Sequence, residues 1–378
     1  MLGTVSVSSK NGYQNTINEV ERRFLFIGKT TVTALQNKVT HLDSRTDIPS
    51  LFVIAEGRTS KNTQLKDQLI AAQLNAKKNW TASVVGLPSD GDWKTALNLA
   101  NNLMSYEAVV LTDPMATKAD IEAVSAEMAA VESRDARYMF AMVCTAPILP
   151  TQSWAEYEAH LNELVNGVNA SRVMCIPTLC ENNLGILAGR LCDRSVTIAD
   201  SPMRVKTGPL LGMGQFPVDK DSTPFPYEML TALDAKRLSV PQTYPGEHGW
   251  YWADGNTLDL DTGDFKVIEH LRIVLKACRN VYKIALPTIA DRALNSSPQS
   301  IEFNKSLYMK PLLQMAAPVK INNVSFPGEI WPPKDSAVEI NWITDKKTEI
   351  FVTVRPIDSQ KDISIGVGID LTKQQGDN

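Results

Sequence analysis

Between about residues 60 and 193, short apolar runs alternate with amphipathic stretches, and this alternation limits the folds open to the chain more than any other feature. Residues 81–86, 107–112, 137–144 and 171–176 are apolar runs of strand length. Residues 61–77 place Leu65, Leu69, Ile70 and Leu74 at helical spacing, and 92–104 and 181–193 read the same way. Two further helices announce their starts. Thr117 with Asp120, and Ser153 with Glu156, have the spacing of capping boxes, opening helices to about Arg134 and Val168. Short apolar strands alternating with amphipathic helices predict βαβ units and a largely parallel sheet covered by helices. This α/β domain is expected over residues 44–222. Residues 24–28 and 50–57, each ending at a glycine, read as buried strands.

The style changes after a Gly/Pro-rich passage that includes Gly208-Pro209, Gly212-Met213-Gly214, Pro217, Pro224 and Pro226. Trp250-Tyr251-Trp252 and Leu258-Asp259-Leu260 flank turn residues and predict a hairpin. Helices are expected over 265–284 and 300–315, and strands over 338–343 and 349–355. This is an α+β pattern, with the N-terminal strands expected to complete its sheet. The chain ends on Ile363, Ile365, Val367, Ile369 and Leu371 at every second position, which is the period of a strand with one buried face. Val5 and Val7 make a shorter run of the same kind near the start. Ends patterned as strands need sheet edges to pair with, and those edges can belong to neighbouring molecules.

A length of 378 residues points to two or three domains. A net charge of -4 gives no bulk attraction to nucleic acid or to an anionic membrane. No apolar run is long enough to cross a bilayer, and the first residues lack the charged and apolar regions of a signal peptide. The five cysteines, an odd number in mostly apolar surroundings, read as free buried thiols of a protein made in a reducing cytoplasm.

Candidate chemistry is sparse. Gly28-Lys29-Thr30 follows a strand, but Arg23 stands where a phosphate-binding loop needs its first glycine. Gly212-Met213-Gly214 has Pro217 where a dinucleotide fingerprint needs a third glycine. Asp254, Asp259, Asp261 and Asp264 lack the order of a calcium loop and read as a solvated hairpin turn. His41, His160, His248 and His270 are scattered, without metal-ligand spacing. No cofactor, metal or catalytic residue is therefore expected. Arg272, Lys276, Arg279 and Lys283 recur at helical spacing, with Leu271, Val274, Leu275, Cys278 and Val281 on the other side. They read either as a solvated basic face or as a strip facing an acidic protein partner.

Taken together, the polar arm over 4–18, the strand at 24–28, the α/β block containing Arg137-Tyr138-Met139-Phe140-Ala141-Met142, the segment Gly249 to Asn256 before a basic helix, and the closing strands over 349–355 and 362–371 resemble the compact sheath proteins of contractile phage tails and prophages. The resemblance covers nearly the whole chain and is one of organisation. It implies an α/β middle domain (44–222) inserted in an α+β core domain (21–43 with 223–357), with strand-forming arms over 1–20 and 358–378. It also implies a virion protein made in the host cytoplasm, a helical homo-oligomer of stacked, hexameric rings, whose partners are the tail tube, baseplate and terminator proteins. Terminal strands would join neighbours' sheets in a mesh, with Val5, Val7, Ile350, Val352, Val354, Ile363, Ile365, Val367 and Ile369 as its residues. Arg272, Lys276, Arg279 and Lys283 would face the tube. Contraction would shorten and widen the helix without nucleotide hydrolysis.

Two alternatives stay open. One is an α/β enzyme or nucleotide-binding protein using loops after Gly86, Thr112 or Ile176, with Thr112-Asp113-Pro114 as the best of them. The other is a tail component that closes into a ring, such as a terminator or baseplate protein.

Overall fold

The computed structural model describes residues 20–54, 58–59 and 64–369. Its main sheet has six strands: Arg23–Lys29 (β1), Val39–Asp43 (β2), Thr81–Leu87 (β3), Ala108–Met115 (β4), Phe140–Thr145 (β5) and Val173–Ile176 (β6), five of them largely apolar and the edge strand β2 mostly polar. Their order is β2-β3-β1-β4-β5-β6. All neighbours are parallel except the edge strand β2, which runs antiparallel to β3. Without β2, this is a doubly wound order whose direction reverses between β1 and β4.

Alternation decides which side chain faces which layer. Leu25 and Ile27 of β1 enter one core with Val109, Leu111, Ala141 and Val143. That face is covered by Trp93–Leu103 (α2), Lys118–Asp135 (α3), Trp154–Val165 (α4) and Met229–Ala235 (α6). Phe24 and Phe26 enter the other core with Val84, Val110, Phe140 and Met142. Gln64–Ala76 (α1), Asn183–Cys192 (α5) and Ile268–Ala285 (α7) close that side. The expected capping boxes at Thr117 and Ser153 are both made reciprocally.

Helices α1 and α5 touch backbone to backbone. A β-carbon on Gly185 would lie 2.1 Å from the Gln68 carbonyl oxygen, and one on Gly189 2.3 Å from that of Ala72. The two glycines, four apart, are what permits this approach.

Pro298–Ala316 (α8) and the hairpin of Val338–Thr344 (β7) and Lys347–Val352 (β8) form a smaller unit. Tyr308, Leu312, Met315, Val338 and Ile340 make its core with Ile273 and Ala277. Helix α7 therefore serves both units: Ile268, Leu271 and Leu275 face the large sheet, while Ile273 and Ala277 face the hairpin.

Three sequence expectations are corrected. The grouping of 21–43 with 223–357, apart from 44–222, does not match the strand pairing: β1 lies inside the α/β sheet, hydrogen-bonded to β3 and β4. Residues 50–57 do not form one strand. Pro49 sits in the first turn of a short helix, Ile48–Leu51, and only Val53–Ile54 is extended before residue 55. Tyr251–Trp252 does not pair with residues 258–260 but with Pro241–Gln242. Leu258 instead closes the outer edge of β6, donating to the Val173 carbonyl (2.9 Å) and accepting from the Ala170 amide (2.8 Å).

Candidate assembly interface

The hairpin β7–β8 has the pattern of a half-buried antiparallel pair. Ile350, Val352 and, just beyond the strand, Val354 pack against the α7–α8 core, while Phe351 on the other face is exposed. Only β7 and β8 pair in this sheet, so both outer edges carry no ladder among the described residues. A two-stranded sheet is marginal alone, and an unpaired edge is a template for a further strand.

From the hairpin the chain follows a defined path. The Trp331 amide donates to the Arg355 carbonyl at 2.8 Å, and the Ile357 amide to the Glu329 carbonyl at 3.3 Å. Lys361 then reaches two carboxylates. Its Nζ lies 2.7 Å from both oxygens of Asp254 and 2.6 Å from Oε1 of Glu269. Asp254 is brought there because Gly255 lets the backbone press on the start of α7: a β-carbon on it would lie 2.4 Å from Ile268 Cγ2. Burial raises the Glu269 carboxyl above its ordinary range, against the pull of Lys361.

Past Lys361 the chain has no regular secondary structure and no strand partner up to residue 369. Ile363, Ile365, Val367 and Ile369 are 64%, 81%, 90% and 84% exposed. Each forgoes about 1.5–3 kcal/mol that burial of such a side chain supplies. Four such residues recur at period two with no sheet of their own among the described residues. Beneath this exit lies a groove of about 640 Å³, with Met203, Val205, Tyr244, Pro327 and Ile363 in its lining. Val5 and Val7 lie outside the described residues.

The basic strip is corrected. Arg272 and Arg279 are buried, at 2% and 7% exposure, and do not face solvent. The Arg272 guanidinium forks onto Glu107, while Arg279 donates to Glu21 (2.9 Å) and to the Tyr138 carbonyl (2.6 Å). Lys276 holds Glu329 at 2.6 Å. The physical reason is that α7 is packed on two sides, so its cationic row falls in the seam between the units. Only Lys283 of the four is exposed. It lines a recess of about 290 Å³ with Arg23 and Arg137.

The ligand-site alternative falls on the carboxyl ends of the strands, where a crevice of about 980 Å³ includes Pro114, Pro147, Thr178 and Cys180 in its lining. Thr112, Asp113 and Pro114 lie within β4, at a break in its register with β5, and not in a loop after it. The Asp113 carboxylate accepts from the Lys29 amide at 3.1 Å, which places an anion where the Gly28-Lys29-Thr30 turn would hold a phosphate. Burial raises the Asp113 carboxyl. The cluster around Asp259 is not a solvated hairpin turn either. Asp259 is buried and accepts from the amides of Leu260 and Phe265, both at 2.9 Å.

Sequence reasoning missed Glu107, Glu269, Asp254 and Lys361 as a set. The signal available was the row Glu269, Arg272, Lys276 and Arg279, spaced three, four and three apart on a helix whose two flanks are both apolar. A charged row between two apolar flanks is sandwiched, not solvated.

The chain matches the DUF2586 N-terminal domain over residues 2–256 and the DUF2586 C-terminal domain over residues 264–372. It is 38% identical over 379 residues to the "Putative tail sheath protein" of Haemophilus phage HP1 (strain HP1c1), covering 98% of this chain and 99% of that one. In fold it is similar to a chain of the sheath complex of an extracellular contractile injection system in the contracted state, with a TM-score of 0.61, 12% identity, and 97% and 99% of the two chains covered. It is likewise similar to the sheath tail protein from Desulfitobacterium hafniense, with a TM-score of 0.53, 10% identity, and 94% and 97% covered. With family models matched over most of its length, and a tail sheath relative aligned over 98% of it, the chain belongs to the DUF2586 family and is a phage tail sheath protein.

Proposed function

We propose that this sheath subunit polymerises around a tail tube by lending its terminal strands to its neighbours. The observation that carries this reading is the run Ile363, Ile365, Val367 and Ile369, exposed, without a strand partner and patterned for one buried face. The receiving edge is the β7–β8 sheet of another subunit, whose inner residues Ile350, Val352 and Val354 hold it on its core. Val5 and Val7 serve the same mesh. Strand addition links subunits by main-chain hydrogen bonds, so the link survives while subunits turn. Head-to-tail contacts that do not close generate a helix, and stacked six-fold rings are its expected form. Contraction repacks these contacts into a lower-energy set and drives the tube through the host envelope, with baseplate and terminator proteins closing the two ends. The protein is then a virion component made in the host cytoplasm. For tube contact, Lys283 with Arg23 and Arg137 replaces the row first assigned, because its other members are held inside the subunit.

Negative-stain electron microscopy of the full-length protein at rising concentration, with and without tube protein, tests this reading. Striated hollow tubes support it. Closed single rings favour a terminator or baseplate role. Monomers under both conditions, with saturable binding of a small ligand, favour the α/β enzyme.

A further inference from the structure

Four charged side chains on one row of α7 reach outward, and each takes hold of a different segment. Glu269 meets Lys361, the last anchored residue before the exposed tail. Lys276 holds Glu329, whose carbonyl accepts from the Ile357 amide on the same path. Arg272 holds Glu107, and the second oxygen of that carboxylate accepts from the Arg22 amide at 2.5 Å. Arg279 holds Glu21. Residues 20–22 are where the described chain begins, directly before β1. Two of the four contacts therefore fix the root of the N-terminal segment, and two fix the root of the C-terminal tail.

We propose that helix α7 is the common anchor of both arms, with Lys361 and Arg279 as positioning residues that set where each arm leaves the subunit. The inference rests on the strand-exchange reading for its use in assembly, but the anchoring itself is a property of the single subunit. The physical argument is one of geometry. An arm that joins a neighbour's sheet must leave its own subunit at a defined place and direction, or the ordering entropy of the link rises. A buried ion pair is suited to this, because its partners are costly to separate and its geometry is directional. Joining both roots to one rigid helix that packs on both units makes the two arms move as a pair when subunits rotate.

Hydrogen exchange on the full-length monomer, kept dilute, reads the anchoring directly. In Lys361→Met, the Ile357 amide, bonded to the Glu329 carbonyl on the path to Lys361, is expected to exchange at least about tenfold faster, the factor expected when a charge-assisted contact is lost. Amides of β1, β3 and β4 stay as they were. The double variant Lys361→Met with Glu269→Gln removes the more deeply buried of the two carboxylates left without Lys361 and guards against misfolding; its Ile357 amide should also exchange faster. Arg279→Met, alone and with Glu21→Gln, should do the same for residues 22 and 23. Unchanged exchange at both roots in the double variants would overturn the proposal. A chain lacking residues 363–378 separates the two ideas. If it assembles like the parent, the strand-exchange reading fails, whereas the exchange data on the monomer stand or fall on their own. If it does not assemble, and the Lys361→Met protein assembles more slowly or with irregular spacing, both hold. Assembly of Lys361→Met at the parent's rate and helical repeat would overturn the positioning role.

Discussion

Arg272 Nε lies 2.7 Å from Glu107 Oε1 and its terminal nitrogen 2.9 Å from Oε2, with both side chains out of solvent. The pair joins α7 to the start of β4 in the middle of the protein. Breaking a buried pair leaves one charge without a partner, which costs about 3–5 kcal/mol, although replacing both partners by apolar groups need not. Arg272→Met is therefore expected to lower the unfolding free energy by that amount. Arg272→Met with Glu107→Leu should recover much of it. Chemical denaturation of the monomer measures both.

The same pair makes stability depend on pH. Burial pushes the Glu107 carboxyl up, but Arg272, Arg279 and the Arg22 amide together hold it below its ordinary range. A carboxyl depressed on folding contributes stability that is present above its unfolded value, about 4.3, and is lost as pH falls through the folded one. The parent should thus lose stability on acidification below about pH 4. The apolar double variant should lose less over that window, as thermal scans at stepped pH would show. Equal acid sensitivity would remove this pair from the account.

Removing residues 362–378 should leave a folded monomer. The described part of that segment is exposed, so the unfolding free energy should change by no more than about 0.5 kcal/mol, while tube formation is abolished. Denaturation of the truncated monomer and electron microscopy at rising concentration check the two halves separately.

Lys283→Glu touches an exposed side chain and should leave the fold unchanged within about 0.5 kcal/mol. It should weaken recruitment to tube protein more than self-assembly, measured by co-sedimentation with preformed tubes. Equal recruitment would remove the Lys283 recess as the tube contact.

Gly185→Ala and Gly189→Ala should each cost roughly 1–3 kcal/mol, because the added methyl meets backbone oxygens of α1 that have little room to move. The change reads out as a lower midpoint of chemical denaturation.

What the sequence settled is what depends on neighbours in the chain. The alternating strands and helices of 81–193, the two capping boxes, and the helices over 268–285 and 298–316 all follow from periodicity and local hydrogen bonding, and each appears within a few residues of its expected bounds. The period-two pattern from Ile363 to Ile369 was also legible, since alternation needs no partner to be seen. Tertiary structure alone decided the rest. Arg272 meets a carboxylate 165 positions away and Arg279 one 258 positions away, so no local pattern distinguishes them from Lys283, which stays in water. The placement of β1 inside the α/β sheet was decided in the same way. Residues 24–27 are apolar on both faces and suit any buried parallel position, and only pairing with β3 and β4 selects one. Local patterns determine which segments form strands and helices; which edge or charge each then meets is a long-range matter of packing.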